Sequence, residues 1–171
     1  MKEKRVIDSK TIMTEMIMPN DTNPLGNLMG GNLLRWMDIA AGICAAKHCE
    51  AHVVTASVDH VSFDLPIILG SVITIEANVT RAYTTSVEVY VEVQAAEITG
   101  ANPKKSNHAY FSFVGLDEST KKPTRIPQVI PVSSVEVDLF QSALRRRQLR
   151  LIIAGRMKPE DAKEIRSLFM D

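Results

Sequence analysis

The chain has 171 residues, with twenty Lys plus Arg against twenty Asp plus Glu, so its formal net charge is zero. That balance excludes bulk charge as a means of holding nucleic acid or a membrane surface; any anion has to be held locally. Two cysteines, Cys44 and Cys49, and a charged start, Met1-Lys2-Glu3-Lys4-Arg5, with no apolar segment behind it, are the marks of a cytoplasmic protein with reduced thiols. No apolar run reaches membrane-spanning length.

In chain order, Thr11 to Met18 alternates loosely, with Ile12, Met16 and Met18 on one side, and reads as a first strand. Asp21-Thr22-Asn23-Pro24-Leu25-Gly26-Asn27 then has turn chemistry. After Gly30-Gly31 comes an almost wholly apolar run from Asn32 to Ala46, rich in Leu, Met and Ala and interrupted by Arg35 and Asp38. It predicts a helix buried nearly all round. Val53 to Phe63 is β-rich and predicts a long strand, broken at Leu65-Pro66 and Gly70. Ile73 to Thr80 and Ser86 to Val93 alternate with period two, and Tyr83-Thr84-Thr85 between them fits a hairpin. Gly100 to Lys105 reads as a basic loop, and His108 to Leu116 as a last strand. Ser133 with Glu136 predicts a capping box for a helix from Ser134 toward Ile153 that stops at Gly155, and Pro159 starts a shorter helix. One helix followed by consecutive antiparallel strands is an α+β sheet wrapped round a central helix.

Asp38 is the residue that stands out, because a carboxylate within a buried helix is either paired or functional. An ion pair with Arg35 one turn away and a catalytic carboxylate both fit. Asn23 fits a turn residue or a site residue. Gly30-Gly31 fits a tight junction, or an anion site built from the orphan N–H groups and positive dipole of a helix start. Cys44, His48 and Cys49 lack a second ligand pair at metal spacing, so no metal is expected. Cys44 lies in apolar surroundings that suppress thiolate formation. His60 and His108 fit structural strand residues. Arg145-Arg146-Arg147 is a solvated helix face or a phosphate contact. No phosphate-binding Gly-rich loop and no Gly-x-Ser-x-Gly elbow occurs.

Taken together, Asp21-Thr22-Asn23, Gly26-Asn27, Gly30-Gly31, Trp36-Met37-Asp38 and Val54-Thr55-Ala56-Ser57-Val58-Asp59 resemble the hotdog-fold acyl-CoA thioesterases of the cytosolic acyl-CoA hydrolase type. Phe63 with Pro66 and Gly70, Thr85-Ser86-Val87-Glu88-Val89, and Phe113-Val114 continue the match over about residues 9 to 131. The resemblance implies a hotdog domain over residues 1–131 and a C-terminal helical extension over 132–171. It implies a homodimer whose sheets join edge to edge, assembling as a trimer of dimers. Asp38 of one protomer and Asn23 of the other would be catalytic, with Gly30 and Gly31 binding the oxyanion. Local groups, Ser86, Arg81, Lys104, Lys105 and Arg125, are the candidates for holding CoA. Acyl-CoA is then the substrate, with no other cofactor and neither nucleic acid nor membrane as partner. Two rivals share the fold. An enoyl-CoA hydratase of this fold continues Asp21-Thr22-Asn23-Pro24-Leu25 with a histidine, where this chain has Gly26. A non-catalytic acyl-CoA-binding module would not need Asp38.

Overall fold

The computed structural model describes residues 2–167 and divides after Ile130 into two compact units. In the first unit, the apolar run forms α1 (Gly30–Cys49), and the strands are β1 (Glu3–Arg5), β2 (Thr11–Met16), β3 (His52–Phe63), β4 (Val72–Ala82), β5 (Ser86–Ala96), β6 (Lys104–Leu116) and β7 (Gln128–Ile130). Five of them make an antiparallel sheet in the order β2-β4-β5-β6-β3. β1 and β7 form a separate parallel pair.

The alternation seen in the sequence sets the layers. Ile73, Ile75 and Ala77 of β4 and Val89, Val91 and Val93 of β5 are fully buried, as are Ala40, Ala41 and Ala45 of α1. Small helix residues let the sheet come close. A Cβ on Gly42 would stand 3.7 Å from the Phe113 ring. At Gly115 the approach is closer still: a Cβ there would lie 2.8 Å from Ile126, so only glycine fits. Burial of this kind contributes about 1.5–3 kcal/mol for each large aliphatic side chain. The result is the hotdog arrangement, a five-stranded sheet around one long helix.

Lys104 and Lys105 belong to β6 rather than to the loop expected before it. On β2, Ile12 and Met16 lie on one side, as the alternation predicts, and that side is exposed. β1 and β7 have no signature in the sequence, yet they tie down the end of α1. Lys4 Nζ donates to the Lys47 carbonyl at 2.5 Å and pairs with Glu50 at 3.0 Å, which suits a cation at a helix C-terminus. His48 Nε2 bonds the carbonyl of Pro127 at 3.0 Å.

The second unit begins at Pro131. Its helix α2 (Ser134–Ile153) opens on the expected box: Ser133 Oγ accepts from Glu136 N at 3.2 Å, and Glu136 Oε2 from Ser133 N at 3.1 Å. It closes at Gly155, whose φ of +65° suits glycine. A single 3-10 turn, Pro159–Asp161, leads to α3 (Lys163–Arg166). Gln148 Oε1 caps α3 by accepting from the backbone of Glu164 and Ile165 at 3.0 and 3.2 Å. Arg146 spends its guanidinium on Ser142 Oγ and the Leu139 carbonyl, at 2.7 and 2.9 Å. Among the described residues no helix is long and apolar enough to cross a membrane.

Candidate active site

The turn before α1 is wound around Asn23. Its Oδ1 accepts from the backbone of Leu25 at 2.9 Å and of Asn27 at 3.2 Å, and its N–H donates to the Asn27 carbonyl at 2.8 Å. Gly26 closes the turn with φ +75°. Because Oδ1 is occupied within its own loop, the group Asn23 has to offer is the Nδ2 donor. Asp21 fixes the loop to the helix: its carbonyl accepts from Met29 N at 2.9 Å.

No side chain caps the start of α1. The N–H groups of Gly30 and Gly31 precede the first helical hydrogen bonds and have no acceptor among the described residues. The two glycines differ in their surroundings. A Cβ on Gly30 would press on the Phe63 ring at 3.2 Å, whereas one on Gly31 would meet nothing within 4 Å. A pocket of about 330 Å³ opens here, bordered by Asn23, Gly30, Leu33, Phe63 and Asn107 among others.

Asp38 stands eight residues further along, about 12 Å on the helix axis. It is half-buried, and its Oδ1 accepts a hydrogen bond from Thr55 Oγ1 at 2.9 Å. Among the described residues no ion pair joins it to Arg35, which is exposed. Thr55 is the residue sequence reasoning passed over. Simple alternation puts it on the same side as Ser57 and Asp59. Instead, β3 pairs Thr55 with Phe113 and then Ser57 with Ser112, and this irregularity leaves Thr55 facing α1.

Within one protomer the expected catalytic residues form two groups. Asn23 and Gly30 share the pocket, whereas Gly31 and Asp38, with Thr55 bonded to it, are not on it. The CoA candidates divide as well. Ser86 pairs with Val114, and Ile126 beside Arg125 donates to the Thr84 carbonyl at 3.2 Å. Arg81, opposite Glu88, belongs to that same end of the sheet. Lys104 and Lys105 lie at the other end, opposite Ala95 and Gln94. Lys105 is already engaged: it pairs with Glu92 at 2.6 Å and donates to Tyr90 at 2.9 Å, contacts that raise its pKa.

Burial pushes the thiols of Cys44 and Cys49 up to about 12 and about 11, so neither is a nucleophile at neutral pH. No group of three His, Cys, Asp or Glu among the described residues is arranged to hold a metal. A larger cavity of about 770 Å³, bordered by Glu50, His52 and Arg125, lies at the opposite end of α1 and contains neither Asp38 nor Gly30.

Residues 25–101 match the family model described as the thioesterase superfamily. The acyl-CoA thioester hydrolase YkhA of Bacillus subtilis, described as uncharacterized, is 36% identical over 143 residues, covering 84% of this chain and 83% of that one. The chain belongs to the thioesterase superfamily. Solved structures agree. A hexameric apo acyl-CoA thioesterase superposes with a TM-score of 0.86 at 35% identity, over 90% of this chain and 98% of the other. An acyl-CoA hydrolase of Staphylococcus aureus, solved with butyryl-CoA and CoA, gives 0.83 at 34% identity, over 90% and 94%. That hydrolase has also been solved with single alanine replacements of an Asn, an Asp and a Thr. In its numbering these stand 15 and 17 residues apart in turn, as do Asn23, Asp38 and Thr55 here.

Proposed function

We propose that this chain hydrolyses acyl-CoA to a free carboxylic acid and CoA, at sites that two protomers complete together. The observation that carries the reading is the Asp38 carboxylate, fixed by Thr55 at 2.9 Å on the helix that also presents two unpaired N–H groups at its start. Attack on a thioester carbonyl needs an activated oxygen nucleophile, a polariser for the carbonyl and a leaving group. A thiol leaves readily, since its pKa is ~8.5. One oriented carboxylate, as base for water or as nucleophile, is sufficient for the rest. The Gly30 and Gly31 N–H groups stabilise the oxyanion as it forms. Asn23 contributes Nδ2 as a donor to substrate or water.

Asn23 and Asp38 do not meet within one chain, and in this reading Asn23 of one protomer faces Asp38 of another. β3 is an edge strand, and its long unpaired side is the surface along which two sheets join. The full assembly is a trimer of dimers, in keeping with the hexameric relative. CoA phosphates rest against Arg81, Ser86 and Arg125 at one end of the sheet, with Lys104 and Lys105 serving at the other. The reaction takes place in the cytoplasm and needs no cofactor beyond the CoA of the substrate.

The test combines two dead variants. Asn23→Ala and Asp38→Asn proteins should each release little thiol from acyl-CoA. Co-expressed, they form mixed dimers in which one site carries both lesions and the other neither. Random pairing then restores about a quarter of wild-type sites. Mixed dimers confirmed by mass that recover no activity would place each site within a single chain. Full activity of Asp38→Asn alone would remove the carboxylate from the mechanism.

A further inference from the structure

Asn107 lies on the helix-facing side of β6, opposite Phe63 of β3 and Val93 of β5. It is 2% exposed and borders the pocket that contains Asn23 and Gly30. Its carboxamide is oriented by its neighbour. Nδ2 donates to the Ser62 carbonyl at 3.0 Å, and a carbonyl oxygen only accepts, so the nitrogen has to sit there. Oδ1 is therefore left buried without a hydrogen-bond partner among the described residues. A buried acceptor without a donor is costly, and one kept beside a ligand pocket calls for a donor from the ligand. The rest of the wall combines the apolar Leu28, Leu33, Phe63 and Ile67 with the polar Asn23 and Asn27.

We propose that Asn107 is a specificity-determining residue: its Oδ1 accepts a hydrogen bond from a hydroxyl on the acyl group, so hydroxyacyl-CoA thioesters are preferred to unsubstituted ones of equal length. This rests on the thioesterase reading above. Gly30 borders the same pocket, so a thioester carbonyl held at the start of α1 would stand beside a space that Asn107 also borders. Oδ1 is a buried acceptor that lacks a donor among the described residues, and one hydroxyl on an alkyl chain supplies that donor. A plain alkyl chain would dehydrate Oδ1 and give nothing in return.

The test measures kcat/KM by thiol release for straight-chain acyl-CoAs from butyryl to decanoyl and for their 3-hydroxy and ω-hydroxy counterparts. In the wild-type protein, one hydroxyl position should raise kcat/KM over the unsubstituted partner by roughly three- to tenfold, the worth of a neutral hydrogen bond. Asn107→Leu should abolish that ratio, and Asn107→Asp, which keeps an acceptor, should retain a preference. A ratio taken within one protein does not depend on how much of it is folded, so partial misfolding of a variant does not blur the result. Wild-type indifference to the hydroxyl, or an Asn107→Leu ratio equal to wild type, overturns the inference while leaving hydrolysis itself intact. Absence of thiol release from every substrate would remove the thioesterase reading and this inference with it.

Discussion

Gly31→Ala separates the needs of the fold from those of the chemistry. The position lies in the first turn of α1, lacks a positive φ, and has nothing within 4 Å of where a Cβ would be. By helix propensity, Ala is better than Gly by up to about 1 kcal/mol in a helix interior, less so near an end. The folded protein should therefore lose no stability and gain at most about 2–4 °C in Tm, the shift that 1 kcal/mol gives a chain of this size. Activity should behave in the opposite way. If the open space in front of Gly31 is where the thioester carbonyl meets the N–H pair, the new methyl holds the oxyanion away from its donors. Loss of one such donor lowers kcat by ~10²–10³. Gly30→Ala is the contrasting case, since its Cβ would press on Phe63 at 3.2 Å and the ring, 55% exposed, has to move. The assay is a thermal melt, a mass measurement of the assembly, and thiol release with a saturating acyl-CoA. A Gly31→Ala protein that melts normally and keeps kcat within twofold would refute the reasoning. So would one that changes its assembly, because the open space would then belong to a neighbouring protomer.

Thr55→Val keeps the shape of the side chain but removes the hydroxyl that holds Asp38. A hydrogen bond to a charged group is worth about 1.5–3 kcal/mol, so kcat should fall by roughly 10–150-fold while the assembly is kept; an unchanged kcat would show that Asp38 needs no such support. His48 is fully buried, and burial lowers its pKa below the ordinary 6.5. The unfolded chain thus binds the proton more readily, and the stability this group contributes is present above about 6.5 and lost as pH falls toward the lower folded value. Urea midpoints measured from neutral pH downward should fall less steeply in His48→Gln; parallel curves would contradict the assignment. Cys44 and Cys49, with thiols raised to about 12 and about 11, should resist an aromatic disulfide reagent at neutral pH until the chain unfolds. Rapid labelling of the native protein would count against it.

The elements legible in the sequence were those whose pattern is repeated. Ile73 to Thr80 and Ser86 to Val93 could be placed because a half-buried strand repeats its instruction every second residue, and the helix because fifteen residues from Asn32 to Ala46 carry almost no charge. Two of its residues were hidden: Gly30 and Gly31 are poor helix formers, yet they are the first two residues of α1. The start of β6 was hidden for a similar reason. Lys104-Lys105-Ser106-Asn107 looks like a polar turn, but Ser106 and Asn107 are buried because the strand has to continue between β5 and β3. Strands of three residues such as β1 and β7 are too short for any periodicity to appear.

The candidate site was legible only as far as single residues can be read. Asp38 was conspicuous because a carboxylate in an apolar helix contradicts its surroundings, and contradiction of that kind needs no partner to be seen. Thr55 was not conspicuous. A threonine is at home in any strand, and what sets this one apart is a register shift between Thr55 and Ser57, a property of the pairing between β3 and β6 rather than of either strand. Asn107 escaped for the same reason: its unpaired Oδ1 is defined by the Ser62 carbonyl, forty-five residues earlier in the chain. The residues that a sequence hides are thus those whose role is assigned by a neighbour across the sheet. If Asn23 acts on Asp38 of another protomer, it is the extreme case, since its neighbour then belongs to a different chain. That division has a physical benefit. A buried carboxylate is expensive to keep ionised; a site closed only when two protomers meet would leave Asp38 half-buried in each one as it folds, and the desolvation that strengthens its chemistry would arrive on assembly.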